Sequence, residues 1–114
     1  MPTTDATITT VDQRKAAERA RRVRAAEAIV ARLSAYARRE GGRFVVFGSF
    51  VAGRMRHDSD LDVLIDVAGA KRLAAWAFLE DLGIEHGLDL DLFDRATTKP
   101  AFAARVDATG LHLP

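Results

Sequence analysis

The chain contains no cysteine, which excludes a disulfide framework, a thiolate zinc site and a cysteine nucleophile together, and is compatible with a reducing cytoplasm. It has no apolar run approaching the roughly 20 residues needed to span a bilayer, and its start, Met1 to Thr10, is polar and threonine-rich. No membrane association is expected. It also lacks a dominant charge: 17 Lys and Arg stand against 16 Asp and Glu for a formal +1, so neither a strong nucleic-acid field nor an acidic solubilising tail governs the molecule. There is no internal repeat and no low-complexity linker. What remains is 114 residues, 48% of them hydrophobic, enough for one domain with a real core. Residues 1–11 are expected to form a disordered tail and 12–114 one domain.

From Asp12 to Arg39 the chain is rich in Ala, Arg and Glu without proline or glycine, and Gly41-Gly42 supplies a stop. This spacing predicts one long helix, capped at Thr10 or Asp12. Ala16, Ala20, Val23, Ile29, Val30, Leu33 and Tyr36 form its packing stripe, with the arginines outward. Arg43 to Phe47 and Leu61 to Val67 read as buried strands. Phe50 to Met55 is expected as a short helix weakened by Gly53. A second helix is expected from Ala70 to about His86, with Leu73, Trp76, Ala77, Leu79, Leu82 and Ile84 as its apolar set. Leu88 to Phe93 alternates Leu and Asp as a strand with one polar face, and Pro100 opens a last short helix to about Asp107.

Chemistry concentrates in Gly48-Ser49 at the end of the first strand, ten intervening residues, then Asp60-Leu61-Asp62 entering the second. Residues two apart in a strand share a side, so Asp60 and Asp62 present two carboxylates on one face. Such a pair is unfavourable unless a cation or proton relieves it, and Mg²⁺ prefers oxygen ligands. Gly48 lets the backbone approach a phosphate, and the amides that follow could hold a triphosphate. Asp89 and Asp91 on the third strand could add a carboxylate that binds metal or accepts the proton of an incoming hydroxyl. Two other motifs fail. Asp58, Asp60 and Asp62 imitate a calcium loop, but Val63 and Gly69 replace its glycine and glutamate. Gly48 to Gly53 has the glycine spacing of a P-loop, but Arg54 and Met55 replace its Lys and Ser/Thr.

The segment Phe47-Gly48-Ser49-Phe50-Val51-Ala52-Gly53-Arg54, continuing to Ser59-Asp60-Leu61-Asp62-Val63-Leu64-Ile65, closely resembles the active-site signature of the DNA polymerase beta-like nucleotidyltransferase superfamily, in its minimal branch. Leu90-Asp91-Leu92-Phe93 matches the third acidic strand of that signature best, with Asp89 as the competing assignment, and the ending Thr109-Gly110-Leu111-His112-Leu113 is similar too. The resemblance implies an α/β fold with a small mixed sheet, MgATP as donor, and transfer of AMP with release of pyrophosphate. It implies Asp60, Asp62 and Asp91 as catalytic and metal-binding residues, with Gly48, Ser49 and Arg54 on the nucleotide. In the minimal branch the acceptor is often a HEPN-domain ribonuclease toxin, adenylylated on tyrosine by the nucleotidyltransferase as antitoxin, which implies a hetero-oligomer in the cytoplasm. A binding module that masks its partner without catalysis is the alternative. A nucleic-acid contact through the arginines of the first helix is disfavoured, because Glu18 and Glu27 interrupt them and no aromatics interleave.

Overall fold

The computed structural model describes residues 10–114; residues 1–9, where most of the disordered tail is expected, lie outside them. Helix α1, Val11–Glu40, starts at a reciprocal cap: the Gln13 N–H donates to Thr10 Oγ1 at 3.0 Å while the Thr10 N–H donates to Gln13 Oε1 at 2.8 Å. It ends where Gly41 takes φ +84° and returns its N–H to the Ala37 carbonyl at 2.9 Å, a conformation that costs a β-carbon-bearing residue dearly.

Strand β1 (Arg43–Phe47), β2 (Leu61–Asp66), helix α2 (Arg72–His86), β3 (Leu90–Asp94), helix α3 (Pro100–Thr109) and β4 (Leu111–Leu113) follow. The four strands form one mixed sheet in the order β3-β2-β1-β4. β1 runs antiparallel to β2 and β4, and β2 runs parallel to β3, as a helical crossover between them requires.

Both faces of the sheet are covered, which is why β1 and β2 read as near-continuous apolar runs. Phe44, Val46, Leu61, Val63 and Ile65 pack with Ile29, Leu33 and Tyr36 of α1 and Ala75, Leu79 and Leu82 of α2, all buried. Val45 and Leu64 turn to the other face and meet Val106 of α3, bordered by Phe47, Phe93 and Phe102, whose ring centroids lie 5.4 to 5.6 Å apart. Each large side chain so buried contributes about 1.5–3 kcal/mol relative to exposure.

Several expectations need correction. Phe50 to Met55 holds no helix: Ser49 to Gly53 is a run of turns, and Gly53 at φ +71° leaves helical space. β3 begins at Leu90, since Leu88 is spent on closing α2: Gly87 is left-handed at φ +59°, and the Leu88 N–H reaches back to the Gly83 carbonyl at 3.0 Å. In α2 the core is carried by Ala75, Leu79 and Leu82, whereas Leu73 and Ile84 are each 81% exposed. Ala16 is exposed as well. The arginines of α1 do not all face outward: Arg21 and Arg22 are half-buried and tied to loops of the body.

Candidate active site

Asp62 lies on β2 between two informative neighbours. In the register of the sheet it is opposite Phe47 of β1 and opposite Asp91 of β3. The residue after Phe47 is Gly48, at φ +83°, and a β-carbon there would overlap Asp62 Oδ2. Glycine is required at this position twice over, by its backbone angle and by the carboxylate beside it.

Asp60 stands two residues before Asp62, so the sheet brings Asp60, Asp62 and Asp91 to one face, with Asp60 and Asp91 exposed and Asp62 half-buried. Burial, followed by the charges of Asp91 and Asp60, pushes the Asp62 carboxyl from its ordinary 3.8 up to about 6. Asp89 falls outside β3, where its carbonyl accepts the Leu61 N–H at 3.0 Å, and it is not among the charges that raise Asp62.

Among the described residues none of these three carboxylates has a hydrogen bond or an ion pair, whereas Asp66, Asp94 and Asp107 all find arginines. An uncompensated acidic face with a partly buried member fits a small hard cation that takes oxygen ligands. No group of three or more His, Cys, Asp or Glu side chains among the described residues is gathered tightly enough to hold a metal unaided.

Beyond Gly48 the chain coils on itself. The Ala52 N–H donates to the Gly48 carbonyl at 3.1 Å, Gly53 to Phe50 at 3.1 Å and Arg54 to Ser49 at 2.8 Å. The amides of Ser49, Phe50 and Val51 make no backbone hydrogen bond among the described residues. Successive unspent N–H groups in a turn favour an anion as a helix N-terminus does. The turn borders an open cleft of about 610 Å³ lined by Gly48, Ser49, Val51, Ala52, Arg54 and Thr109. Arg54 is exposed on it, with no ion pair to the acidic loop. The carboxylates lie outside this lining, and Gly48 joins the two features, touching the cleft on one side and Asp62 on the other.

Three residues of α1, Glu18, Arg21 and Arg22, buttress the site. Arg22 donates to the Ser59 carbonyl at 2.8 Å, just before Asp60, while its Nε bonds Glu18 at 2.8 Å. Arg21 donates to the His86 and Gly87 carbonyls at 3.2 and 2.9 Å, where α2 hands over to the loop before β3, and also grips Glu18 at 2.9 and 3.0 Å. Glu18 therefore anchors both guanidinium groups, and the hydrogen bonds from Arg21 and then Arg22 lower its carboxyl to about 2. One turn of α1 thus fixes the entry loops of both acid-bearing strands. The spacing of Glu18 three and four residues ahead of two adjacent arginines signals the Glu18 pairing, though not the carbonyls that the two arginines reach.

A family model for the nucleotidyltransferase domain matches residues 26–105, from the middle of α1 through most of α3 and including the acidic face, the Gly48 turn and β3. No curated protein matches the chain. No helix among the described residues is long and apolar enough to cross a membrane. With the match spanning most of the chain and the mixed sheet arranged around it, the chain belongs to the nucleotidyltransferase domain family, and its activity is nucleotidyl transfer.

Proposed function

We propose that the chain transfers AMP from MgATP to a hydroxyl of a partner protein in the cytoplasm, with Asp60, Asp62 and Asp91 as the catalytic carboxylates. The observation that carries this reading is the unpaired acidic face built around half-buried Asp62, with Gly48 pressed against it. Asp60, Asp62 and Asp91 would hold Mg²⁺. When bound, the ion supplies the positive charge that offsets the triphosphate and the departing pyrophosphate.

The remaining work falls to the chain. The unspent amides of Ser49 to Val51 and the free guanidinium of Arg54 bind the phosphate tail and orient the α-phosphorus toward the acidic face. Asp91, exposed and on the sheet edge, accepts the proton of the incoming hydroxyl. The acceptor oxygen forms a bond to the α-phosphorus, the bond from that phosphorus to the bridging oxygen breaks, and pyrophosphate leaves with the electron pair. The resemblance to the minimal branch supports a HEPN ribonuclease toxin as acceptor and an antitoxin role.

The test is to incubate the protein with Mg²⁺, the protein encoded beside it, and ATP labelled in either the α- or the γ-phosphate. Covalent label from the α-position alone is the expected result. Label from the γ-position would replace AMP transfer by phosphoryl transfer. A stable, inhibited complex with no label from either would leave a partner-masking module.

A further inference from the structure

β3 is the last strand on its side of the sheet. With Leu61 in register with Leu90, and its N–H on the Asp89 carbonyl, the N–H and C=O groups of Asp91 and Phe93 turn toward β2. Those of Leu90 and Leu92 therefore point away from the sheet, with no partner among the described residues. An open edge of this kind is a template for another strand.

The surroundings of this edge are apolar and unevenly charged. Leu73 and Ile84, the two most exposed large hydrophobic side chains among the described residues at 81% each, lie on α2 at a spacing of eleven residues, hence on one stripe. Trp76, near that stripe, enters a groove beside Leu92 and Phe93. Near Leu90 the edge is bordered by Glu80 and Asp89, and near Asp94 by Lys99 and Arg105. None of these four side chains has an ion pair among the described residues, Arg105 resting instead over the Phe102 ring at 5.7 Å. One end of the edge is thus acidic and the other basic, with Leu92 and Trp76 between them and Asp91 on the opposite face of the sheet. Such a surface is complementary to itself when turned end for end, which is what a two-fold interface demands.

We propose that the edge of β3 pairs antiparallel with the same edge of a second copy, centred on Leu92, so that two sheets become one. In this register Leu92 faces Leu92, Asp91 faces Phe93, and Leu90 faces Asp94, so no carboxylate opposes another. The outward N–H and C=O of Leu92 pair with those of the other Leu92 and the Leu90 carbonyl takes the Asp94 N–H, while the Asp94 carbonyl already accepts the Thr97 and Thr98 hydroxyls; the acidic end of each copy meets the basic end of the other. Leu73, Trp76 and Ile84 of both copies line the same side of the seam. A two-fold axis normal to the sheet leaves both acidic faces on the opposite side, next to one another and open.

Sedimentation equilibrium of the full chain across a wide concentration range reads the proposal directly. The expected species is twice the chain mass. Leu73→Glu/Ile84→Glu, at two exposed positions that leave the melting temperature unmoved, is expected to weaken the dimer by about tenfold or more. Glu80→Lys and Lys99→Glu should each weaken it, and the chain carrying both should recover, because each basic end then meets an acidic one again. A wild type that stays monomeric overturns the proposal. So does a dimer indifferent to these changes, or a double charge exchange weaker than either single one.

Discussion

Replacing Asp62 by asparagine is expected to abolish transfer and yet to stabilise the fold. In the folded chain burial, Asp91 and Asp60 raise the Asp62 carboxyl to about 6 from its ordinary 3.8, so its ionised form opposes folding. Between those two values the native state holds more proton than the unfolded state. Stability without metal therefore falls as pH rises through that window and is level above it. Two units correspond to about 3 kcal/mol at most, and solvent screening of a half-exposed carboxylate reduces this to about 1–2 kcal/mol. For a domain of this size that is roughly 4–8 °C in Tm. The assay is a pair of melts for wild type and Asp62→Asn in chelator, at about pH 7.5 and at about pH 4, where the native carboxyl is already protonated. The variant should melt higher at the first pH and near wild type at the second. Adding Mg²⁺ should raise the wild-type Tm and leave the variant where it was. An Asp62→Asn chain no more stable at neutral pH, or equally favoured at both, would refute the claim that this carboxylate is held against an electrostatic cost.

Gly48→Ala should lose about 1–2 kcal/mol from the backbone angle alone and more as Asp62 is pushed aside, with triphosphate affinity falling in an equilibrium binding assay. Arg22→Ala should cost about 1–3 kcal/mol in denaturant melts. It should also lower kcat through misplacement of Asp60, and Arg22→Lys should restore part of the stability but not both contacts. At the far end of the sheet Arg95 joins Asp107 and Asp66, and Arg43 joins Asp66. Arg95 holds the Asp107 carboxyl below its ordinary value, a contribution present at neutral pH and lost as pH falls through the carboxylate range. Arg95→Ala should therefore destabilise the chain at neutral pH, with a gap to wild type that narrows in acid melts.

β1 and β2 were legible because both faces of the sheet are covered, so Phe44 to Phe47 and Val63 to Ile65 form unbroken apolar runs. The Asp60/Asp62 pair stood out less by itself than through Gly48-Ser49 at a fixed distance before it and the alternating acids of the third strand after it. The sequence reading placed β3 two residues early because Leu88 is apolar and alternates with its neighbours, while the left-handed Gly87 recruits it into the α2 terminus. In α2 the expected set mixed two faces: Leu79 and Leu82 are core, Leu73 and Ile84 are surface, and single-residue hydrophobicity does not tell them apart. The Arg21 and Arg22 contacts reach backbone carbonyls 65, 66 and 37 positions away, which no local pattern encodes. Which of Asp89 and Asp91 stands beside Asp62 likewise depends on register: Asp91 pairs with Asp62, whereas Asp89 lies before the strand begins.

The most direct test of the acidic face as the seat of nucleotidyl transfer is the rate at which label moves from the α-phosphate of ATP to the partner protein with Mg²⁺, for wild type and for Asp60→Ala/Asp62→Ala of matched fold. The account predicts transfer by the wild type and none above background by the variant. Transfer at an undiminished rate by the variant would contradict it.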